Sequence, residues 1–237
     1  MLVPGEEITD TRLAELYPRR TGIRVNFVSS LDGAVDVEGS SLGLSGPADK
    51  RVFRVLRMVC DLLLVGAGTL RREQYRALRL DPARRTWRQD HGLVEYPRLV
   101  VVSNSLDLDP DLPAFAEAPV RPLVLTHEAA PAARRAALSR TADVVPCGES
   151  SVEWPAAMEH LGGHAVLCEG GPQLMGALTT AGLADELCLT LSPQLAGPGS
   201  GRITAGAPGA PYGLRLAHAL ADGDVLLLRY TKDGPTP

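Results

Sequence analysis

Residues 162–193 read GGHAVLCEGGPQLMGALTTAGLADELCLTLSP, and they join an apolar run, a glycine turn and a helical pattern in one segment. The apolar run at 165–168 is typical of a buried strand, and it ends in EGGP at 169–172. A helical pattern begins at once, and the proline suits its first turn, where a missing N–H costs nothing. Such a turn leaves free backbone N–H groups at the positive end of a helix dipole. The segment therefore predicts a phosphate-bearing ligand held beside a sheet.

Outward from this segment, apolar runs and helical patterns alternate along most of the chain, which predicts a parallel sheet with helices on both faces. The end differs, because runs at 214–219 and 225–230 flank the turn Asp222-Gly223-Asp224 and predict an antiparallel edge hairpin. We expect an α/β fold with one domain at 22–237 after an extension at 1–21. Expected strands lie at 23–29, 61–65, 99–103, 122–126, 143–146, 165–168 and 186–192, expected helices at 11–17, 47–59, 69–75, 129–139 and 152–161, and residues 77–97 read as irregular.

Composition narrows the class of protein. Hydrophobic residues make up 45% of the 237 residues and charged residues 22%, which is ordinary for a globular protein. The net charge of −4 gives no support to a nucleic-acid binder. The four cysteines form no C-x-x-C pair and the five histidines no H-E-x-x-H, so we expect no metal site. Without a leader-like start or an apolar run of about 18 residues, we expect a cytoplasmic protein with no membrane association.

A second glycine turn, Gly66-Ala67-Gly68-Thr69, follows the apolar run at 61–65. Arg71 stands where a dinucleotide fingerprint has its third glycine, so an ordinary tight turn explains this motif equally well. Two glycine turns at the ends of two parallel strands can face one crevice, where open sheets bind ligands. The pair of turns therefore predicts a dinucleotide site.

Polar residues near the first strand indicate a substrate end. Asp32, in SSLDG at 29–33, is either a turn-former or a carboxylate that hydrogen-bonds an amino-pyrimidine or relays a proton. Asn26 places an amide inside an apolar strand, where a ligand could be its partner. Glu73 has a surface role by default, and Ser30 lacks the G-x-S-x-G context of a serine hydrolase. A crevice without nucleophile or metal indicates that a cofactor carries the chemistry.

Four segments, taken in order, resemble a known family. VNFVSSLDG at 25–33, GPADKRVFRVLR at 46–57, DLLLVGAGTL at 61–70 and residues 169–193 are similar to the pyrimidine reductases of riboflavin biosynthesis. These correspond to the C-terminal reductase domain of the bifunctional deaminase-reductase and share the dihydrofolate reductase-like fold. The chain is most similar to the stand-alone actinobacterial type. The resemblance implies a homodimer that uses NADPH to reduce a ribosylamino-pyrimidine 5′-phosphate to its ribitylamino product.

The resemblance also implies roles for individual residues. Asp32 would be catalytic, and Asn26, Ser30 and Glu73 would face the substrate. Many members carry lysine where this chain has Asn26, and an Asp-Asp pair near Glu73-Gln74, so the exact substrate and a catalytically silent NADPH sensor stay open. A pterin substrate is a further alternative, because Asp32 could hold its amino-amide edge as well, and a deazaflavin cofactor is another. The implied cofactor residues are Gly66, Gly68, Thr69, Ser103, Glu169, Gly170, Gly171, Pro172, Gln173 and Leu174.

Overall fold

The computed structural model describes residues 9–232, so the first eight residues of the expected extension and residues 233–237 lie outside it. The chain divides into two compact units. Unit 1 comprises the chain up to Leu56 and from Cys168 onward, and unit 2 comprises Arg57–Leu167. The nine strands found within residues 9–232 give a mostly parallel sheet with antiparallel C-terminal strands, which confirms the expected fold class.

In unit 2 the strand order is β5-β4-β3-β2-β6, and the four strands from β5 to β2 are parallel. The central strands β2, β3 and β4 are largely buried and consist mostly of valine and leucine, as suits strands covered on both sides, whereas the edge strand β5 is half-buried or exposed. The elements are the end of α2 (Pro47–Val59), β2 (Leu62–Gly66), α3 (Ala67–Arg72), α4 (Pro82–Asp90), β3 (Arg98–Val102), α5 (Pro113–Ala116), β4 (Leu123–Thr126), α6 (Ala132–Leu138), β5 (Asp143–Pro146), α7 (Trp154–Leu161) and β6 (Ala165–Cys168).

The expectation that residues 77–97 are irregular was wrong, because α4 lies inside this range. Asp81 caps the helix by accepting a hydrogen bond from the Arg84 N–H, and proline occupies the first turn. Arg88 on this helix is fully buried, and its guanidinium donates to the carbonyl oxygens of Met58 at 2.8 Å and Cys60 at 2.6 Å. An arginine in a charged segment of the sequence is therefore buried and satisfies carbonyl oxygens at the C-terminal end of α2.

Unit 1 contains the strand order β1-β7-β9-β8, in which β1 and β7 pair in parallel and β9 and β8 continue antiparallel. The expected hairpin is confirmed, with its turn between Asp222 and Val225. The predicted helices at 11–17 and 47–59 are also confirmed within a residue or two. The elements are α1 (Asp10–Leu16), β1 (Gly22–Ser30), a 3-10 turn (Ser41–Gly43), most of α2, α8 (Pro172–Thr180), β7 (Ala184–Ser192), β8 (Leu214–Asp222) and β9 (Val225–Lys232).

The buried face of this antiparallel region is polar. Glu186 on β7 accepts two hydrogen bonds from Arg229 on β9, at 2.8 and 2.9 Å, and one from Arg24 on β1 at 2.5 Å. The two arginines also donate to carbonyl oxygens at the end of α1, including that of Tyr17. All three charges are buried, so each compensates the desolvation of another. This cluster holds α1 against the sheet.

Candidate functional site

Asp32 follows β1 in a turn at residues 30–33, and its carboxylate already has three protein donors. The Ser30 hydroxyl donates to it, as do the backbone N–H groups of Ala196 at 3.1 Å and Gly197 at 2.8 Å. These bonds, the one from Ser30 foremost, lower the pKa of Asp32 to about 2. Ser30 is itself fixed, because its oxygen accepts from the Ala34 N–H at 2.9 Å.

A carboxyl group with so low a pKa is ionised throughout the neutral range. Asp32 can therefore accept hydrogen bonds from an amino-pyrimidine, but it has no proton to donate there. Its side chain is exposed, so a ligand can reach it. The geometry favours the acceptor role over the proton relay, and it also gives Asp32 a structural partner in the loop at 196–197. The catalytic role of Asp32 stays a prediction.

Asn26 lies in the middle of β1, opposite Cys188 of β7, and is only 8% exposed. Its side-chain amide makes no hydrogen bond to any of residues 9–232. The amide atoms of Asn26 are not among the fully buried, unpartnered side-chain atoms of residues 9–232, so water or a ligand can reach them. Asn26 and Ser30 lie on the same face of β1, since their positions in the strand differ by four.

The EGGP turn begins directly after β6, and its geometry requires glycine at position 170. Gly170 has φ of +82°, a conformation that residues with a Cβ rarely adopt. A Cβ at this position would lie 2.8 Å from the Cζ atom of Phe27 on β1. The turn therefore packs its backbone directly on an aromatic ring. The peptide bond between Gly170 and Gly171 is cis.

The start of α8 fulfils the expectation of an uncapped helix end. Gly171 is the N-cap residue and supplies no side-chain hydrogen bond, and Pro172 occupies the first turn. The N-cap residue therefore offers no side-chain acceptor to the N–H groups of Gln173 and Leu174 in that turn, and the helix dipole adds partial positive charge there. Glu169, just ahead of the turn, is buried. This is a backbone arrangement that suits an anionic ligand.

Cys168, the last residue of β6, has no role in this chemistry. Its side chain is completely buried, and that burial raises the pKa of the thiol to about 12. A thiol that stays protonated is neither a nucleophile nor a metal ligand.

In unit 2, the Gly66–Thr69 region forms the start of α3. Gly66 is the N-cap residue of this short helix and provides no side-chain cap. A Cβ on Gly68 would meet nothing within 4 Å, so packing within the chain does not require glycine at this position. Open space beside Gly68 is compatible with a ligand that approaches the backbone. Glu73 is the C-cap residue of the same helix, and its N–H donates to the Thr69 carbonyl oxygen.

Ser103, expected near the adenosine end of a dinucleotide, lies directly after β3 and is buried. Its hydroxyl accepts a hydrogen bond from the Leu106 N–H at 3.0 Å, in a turn where Leu106 has φ of +50°. The side chain thus has a local structural partner. Its role toward a cofactor stays a prediction, as do those of the residues in both glycine turns.

Sequence reasoning missed Ser200, whose hydroxyl contacts the chain just after turn 30–33. Residues 193–213 are rich in glycine and proline, but this composition gives no signal for the contacts of Ser200, because these join positions far apart in the sequence. Within residues 9–232 there is no group of three or more His, Cys, Asp or Glu side chains placed to hold a metal ion. No helix in that part of the chain is both long and apolar enough to cross a bilayer.

Comparisons with known proteins agree with this architecture. The family model of the RibD C-terminal domain matches residues 21–228. The chain is 29% identical over 224 residues to a 2,5-diamino-6-ribosylamino-4(3H)-pyrimidinone 5′-phosphate reductase from Methanothermobacter thermautotrophicus, covering 91% of this chain and 100% of the relative. It is 30% identical over 182 residues to the Archaeoglobus fulgidus protein of the same name, covering 75% and 83%.

Among solved structures, a pyrimidine reductase-like protein from Corynebacterium diphtheriae superposes with a TM-score of 0.78 at 24% identity, covering 92% of this chain and 94% of that one. This likeness shows a shared fold. The match to the family model spans most of the chain, from β1 into β9. The chain therefore belongs to the family of the RibD C-terminal domain.

Proposed function

We propose that this protein is an NADPH-dependent reductase that converts a ribosylamino-pyrimidine 5′-phosphate to the ribitylamino product, a step of riboflavin biosynthesis. The observation that carries the proposal is the uncapped start of α8 behind the Gly170 turn, in a chain that matches archaeal reductases over most of its length. A glycine turn packed on Phe27 leaves no room for a side chain between the backbone and the sheet. Such a turn brings backbone N–H groups close to an anionic ligand.

We assign the anionic part of the cofactor to the glycine turn at the start of α8, in unit 1, and we propose the glycine turn at the start of α3, in unit 2, as cofactor-binding on the sequence resemblance alone. When bound, NADPH supplies the hydride, which the protein needs to direct but not to generate. Gln173 and Leu174 offer backbone donors at the start of α8, and Gly66 and Gly68 offer backbone without side chains at the start of α3. Thr69 and Ser103 complete the proposed set in unit 2.

We assign the substrate to the face and end of β1. The ionised carboxylate of Asp32 suits the amino-amide edge of a pyrimidine, which presents N–H donors. The unpaired amide of Asn26 can both donate to and accept from such a ring, and a substrate would satisfy it. Ser30 belongs to the same proposal, and Glu73, in unit 2, is proposed as substrate-binding on the sequence resemblance alone. The proton that the reduction consumes comes from another group or from water, because Asp32 is ionised.

Fluorescence titration with NADPH, followed by turnover assays, tests the assignment. The full chain should bind NADPH and oxidise it only when the ribosylamino-pyrimidine phosphate is added. Dihydrofolate, offered in parallel, should be a poor substrate. Absence of NADPH binding at millimolar concentration would refute the proposal, and binding without turnover on either compound would make the protein a sensor.

We further propose that the enzyme is a homodimer that buries the outer face of strands β7, β9 and β8. On this face, apolar side chains are half-buried or exposed, whereas the opposite face carries the buried Glu186 cluster. Leu216 is 54% exposed and Leu226 is 41% exposed. A contiguous apolar sheet face is typical of a contact with another protein, and a second copy of the chain is always available.

Sedimentation velocity of a Leu216→Lys variant tests the dimer. The charge should shift the protein to the monomer, whereas Val94→Lys, at a site that is 69% exposed in unit 2, should leave it dimeric. A wild-type protein that sediments as a monomer at micromolar concentration would contradict this part of the proposal.

A further inference from the structure

The long loop between β7 and β8, residues 193–213, which we call the strap, is anchored at its start on turn 30–33. The carboxylate of Asp32 accepts hydrogen bonds from the N–H groups of residues 196 and 197. The Leu31 N–H donates to the carbonyl oxygen of Gln194 at 2.9 Å. Both the side chain and the backbone of the turn thus hold the first part of the strap.

Ser200 provides the next anchor. Its hydroxyl oxygen accepts from the N–H groups of Val35 at 3.2 Å and Asp36 at 3.4 Å, and the hydroxyl lies 3.2 Å from the Asp36 carboxylate, to which it can donate. The segment that leaves turn 30–33 is therefore fixed by one side chain of the strap.

The later part of the strap lies along α8. The Ala205 N–H donates to the carbonyl oxygen of Pro172 at 2.9 Å, in the first turn of the helix. A Cβ on Gly176 would lie 1.9 Å from the Ala205 carbonyl oxygen, so the strap packs on bare helix backbone there. Further on, a Cβ on Gly209 would lie 2.9 Å from the Thr180 hydroxyl oxygen. The strap follows α8 from its first residue to its last.

We propose that the strap is a positioning element that fixes the Asp32 turn relative to the cofactor helix α8, with Ser200 and Gly176 as its positioning residues. This inference rests on the proposed function, because it takes turn 30–33 as the substrate end and the start of α8 as part of the cofactor site. Loops of this length without secondary structure are uncommon in compact domains and usually functional. The strap must be long because it contacts both residues 30–36 and the whole length of α8.

Positioning matters here because hydride transfer needs the two reactants held in one geometry. Neither Ser200 nor Gly176 belongs to the residues that we assign to the substrate or to the cofactor. Loss of an anchor should therefore change the alignment of the substrate and leave cofactor binding nearly unchanged, which separates a positioning role from a general loss of stability.

Ser200→Ala removes the hydroxyl that holds residues 35 and 36, and Ser200→Thr retains it. The alanine variant should raise the KM for the pyrimidine substrate about tenfold, with the Kd for NADPH within about twofold of wild type. The threonine variant should restore most of the substrate KM. Equal rises in the NADPH Kd and the substrate KM would overturn the positioning role.

Gly176→Ala tests the other end, since its methyl group would displace Ala205. Alanine is the better helix former, so its effect cannot come from helix propensity. Gly201→Ala is the matched control, because a Cβ there meets nothing within 4 Å and its φ is not positive. Trypsin cleavage after Arg202, an exposed residue of the strap, reports displacement directly by mass spectrometry.

Gly176→Ala and Ser200→Ala should be cut after Arg202 several-fold faster than wild type and Gly201→Ala, with the substrate KM raised in both. Faster cutting with an unchanged substrate KM would overturn the inference, because the strap would then be structural only. Unchanged cutting would overturn it as well. Failure of the proposed function is recognised separately, since wild type would then bind no NADPH or turn over no pyrimidine substrate.

Discussion

Replacing Gly170 with alanine should weaken NADPH binding through the backbone alone. Gly170 has φ of +82°, and an alanine Cβ would lie 2.8 Å from Cζ and 3.2 Å from Cε1 of Phe27. The substitution adds one methyl group and changes no charge. It should therefore force the turn away from the conformation that leads into α8.

The size of the effect follows from the strain. A residue with a Cβ in the left-handed region costs roughly 1–2 kcal/mol, before the ring contact is counted. If the turn relaxes in the free protein and must return to its shape on binding, that energy is subtracted from the binding free energy. A loss of 1–2 kcal/mol corresponds to a factor of about 5–30 in Kd.

Fluorescence titration with NADPH measures the change, and urea unfolding in parallel measures stability. Gly163→Ala is the matched control, because Gly163 has φ of +77° but a Cβ there meets nothing within 4 Å. The control should lose stability and keep its NADPH affinity. Adding Phe27→Leu to Gly170→Ala should recover part of the affinity. A Gly170→Ala protein that binds NADPH within twofold of wild type would refute the assignment of the Gly170 turn to the cofactor.

Three further substitutions separate structure from catalysis. Glu186→Gln leaves Arg24 and Arg229 buried without an anionic partner and should lower the free energy of unfolding in urea by about 3–5 kcal/mol; a loss under about 1 kcal/mol would count against the cluster. Burial raises the pKa of Glu186, but the hydrogen bonds and charges of Arg229 and Arg24 outweigh it and lower the pKa. The stabilisation is therefore present above the unfolded pKa of about 4.3 and is lost as pH falls through the folded pKa. In an acid titration, the Gln variant should lack this pH-dependent loss of stability. Asn26→Leu should keep the wild-type unfolding temperature, because the amide makes no hydrogen bond within residues 9–232, yet raise the substrate KM about tenfold, and unchanged kinetics would remove Asn26 from the substrate end. Asp32→Asn should lower kcat without changing the shape of the pH–rate profile between about pH 5 and 9, because a pKa of about 2 lies far below that range. If the variant lost the acidic or basic side of that profile, Asp32 would titrate within the range.

The sequence was informative where the structural cause is local. A strand, two glycines and a proline in succession predicted the turn and the start of α8, because φ of +82° at Gly170 and an uncapped Gly171 are backbone properties. Composition and alternation likewise predicted the hairpin at the end of the chain. The cap at Asp81 was an equally local signal for α4, and the many arginines of that segment obscured it.

Contacts between distant positions were beyond sequence reasoning. The pKa of Asp32 is set partly by residues 196 and 197, which no spacing rule connects to it. On β7, Glu186 is buried whereas Leu187 is half-buried on the outer face, the reverse of a simple polar-out pattern. Only the arginines on neighbouring strands explain that inversion.

Isotope transfer is the most direct test of whether the protein moves a hydride from NADPH to the pyrimidine substrate. The full chain is incubated with NADPH deuterated at the nicotinamide C4 and with the ribosylamino-pyrimidine 5′-phosphate, and the product is analysed by mass spectrometry and NMR. NADPH carries two hydrogens at C4, and each can be labelled in turn. We expect one deuterium at C1′ of a ribityl product when one of these two positions is labelled and none when the other is. A protein that binds NADPH at the Gly170 turn but transfers no deuterium would contradict this expectation.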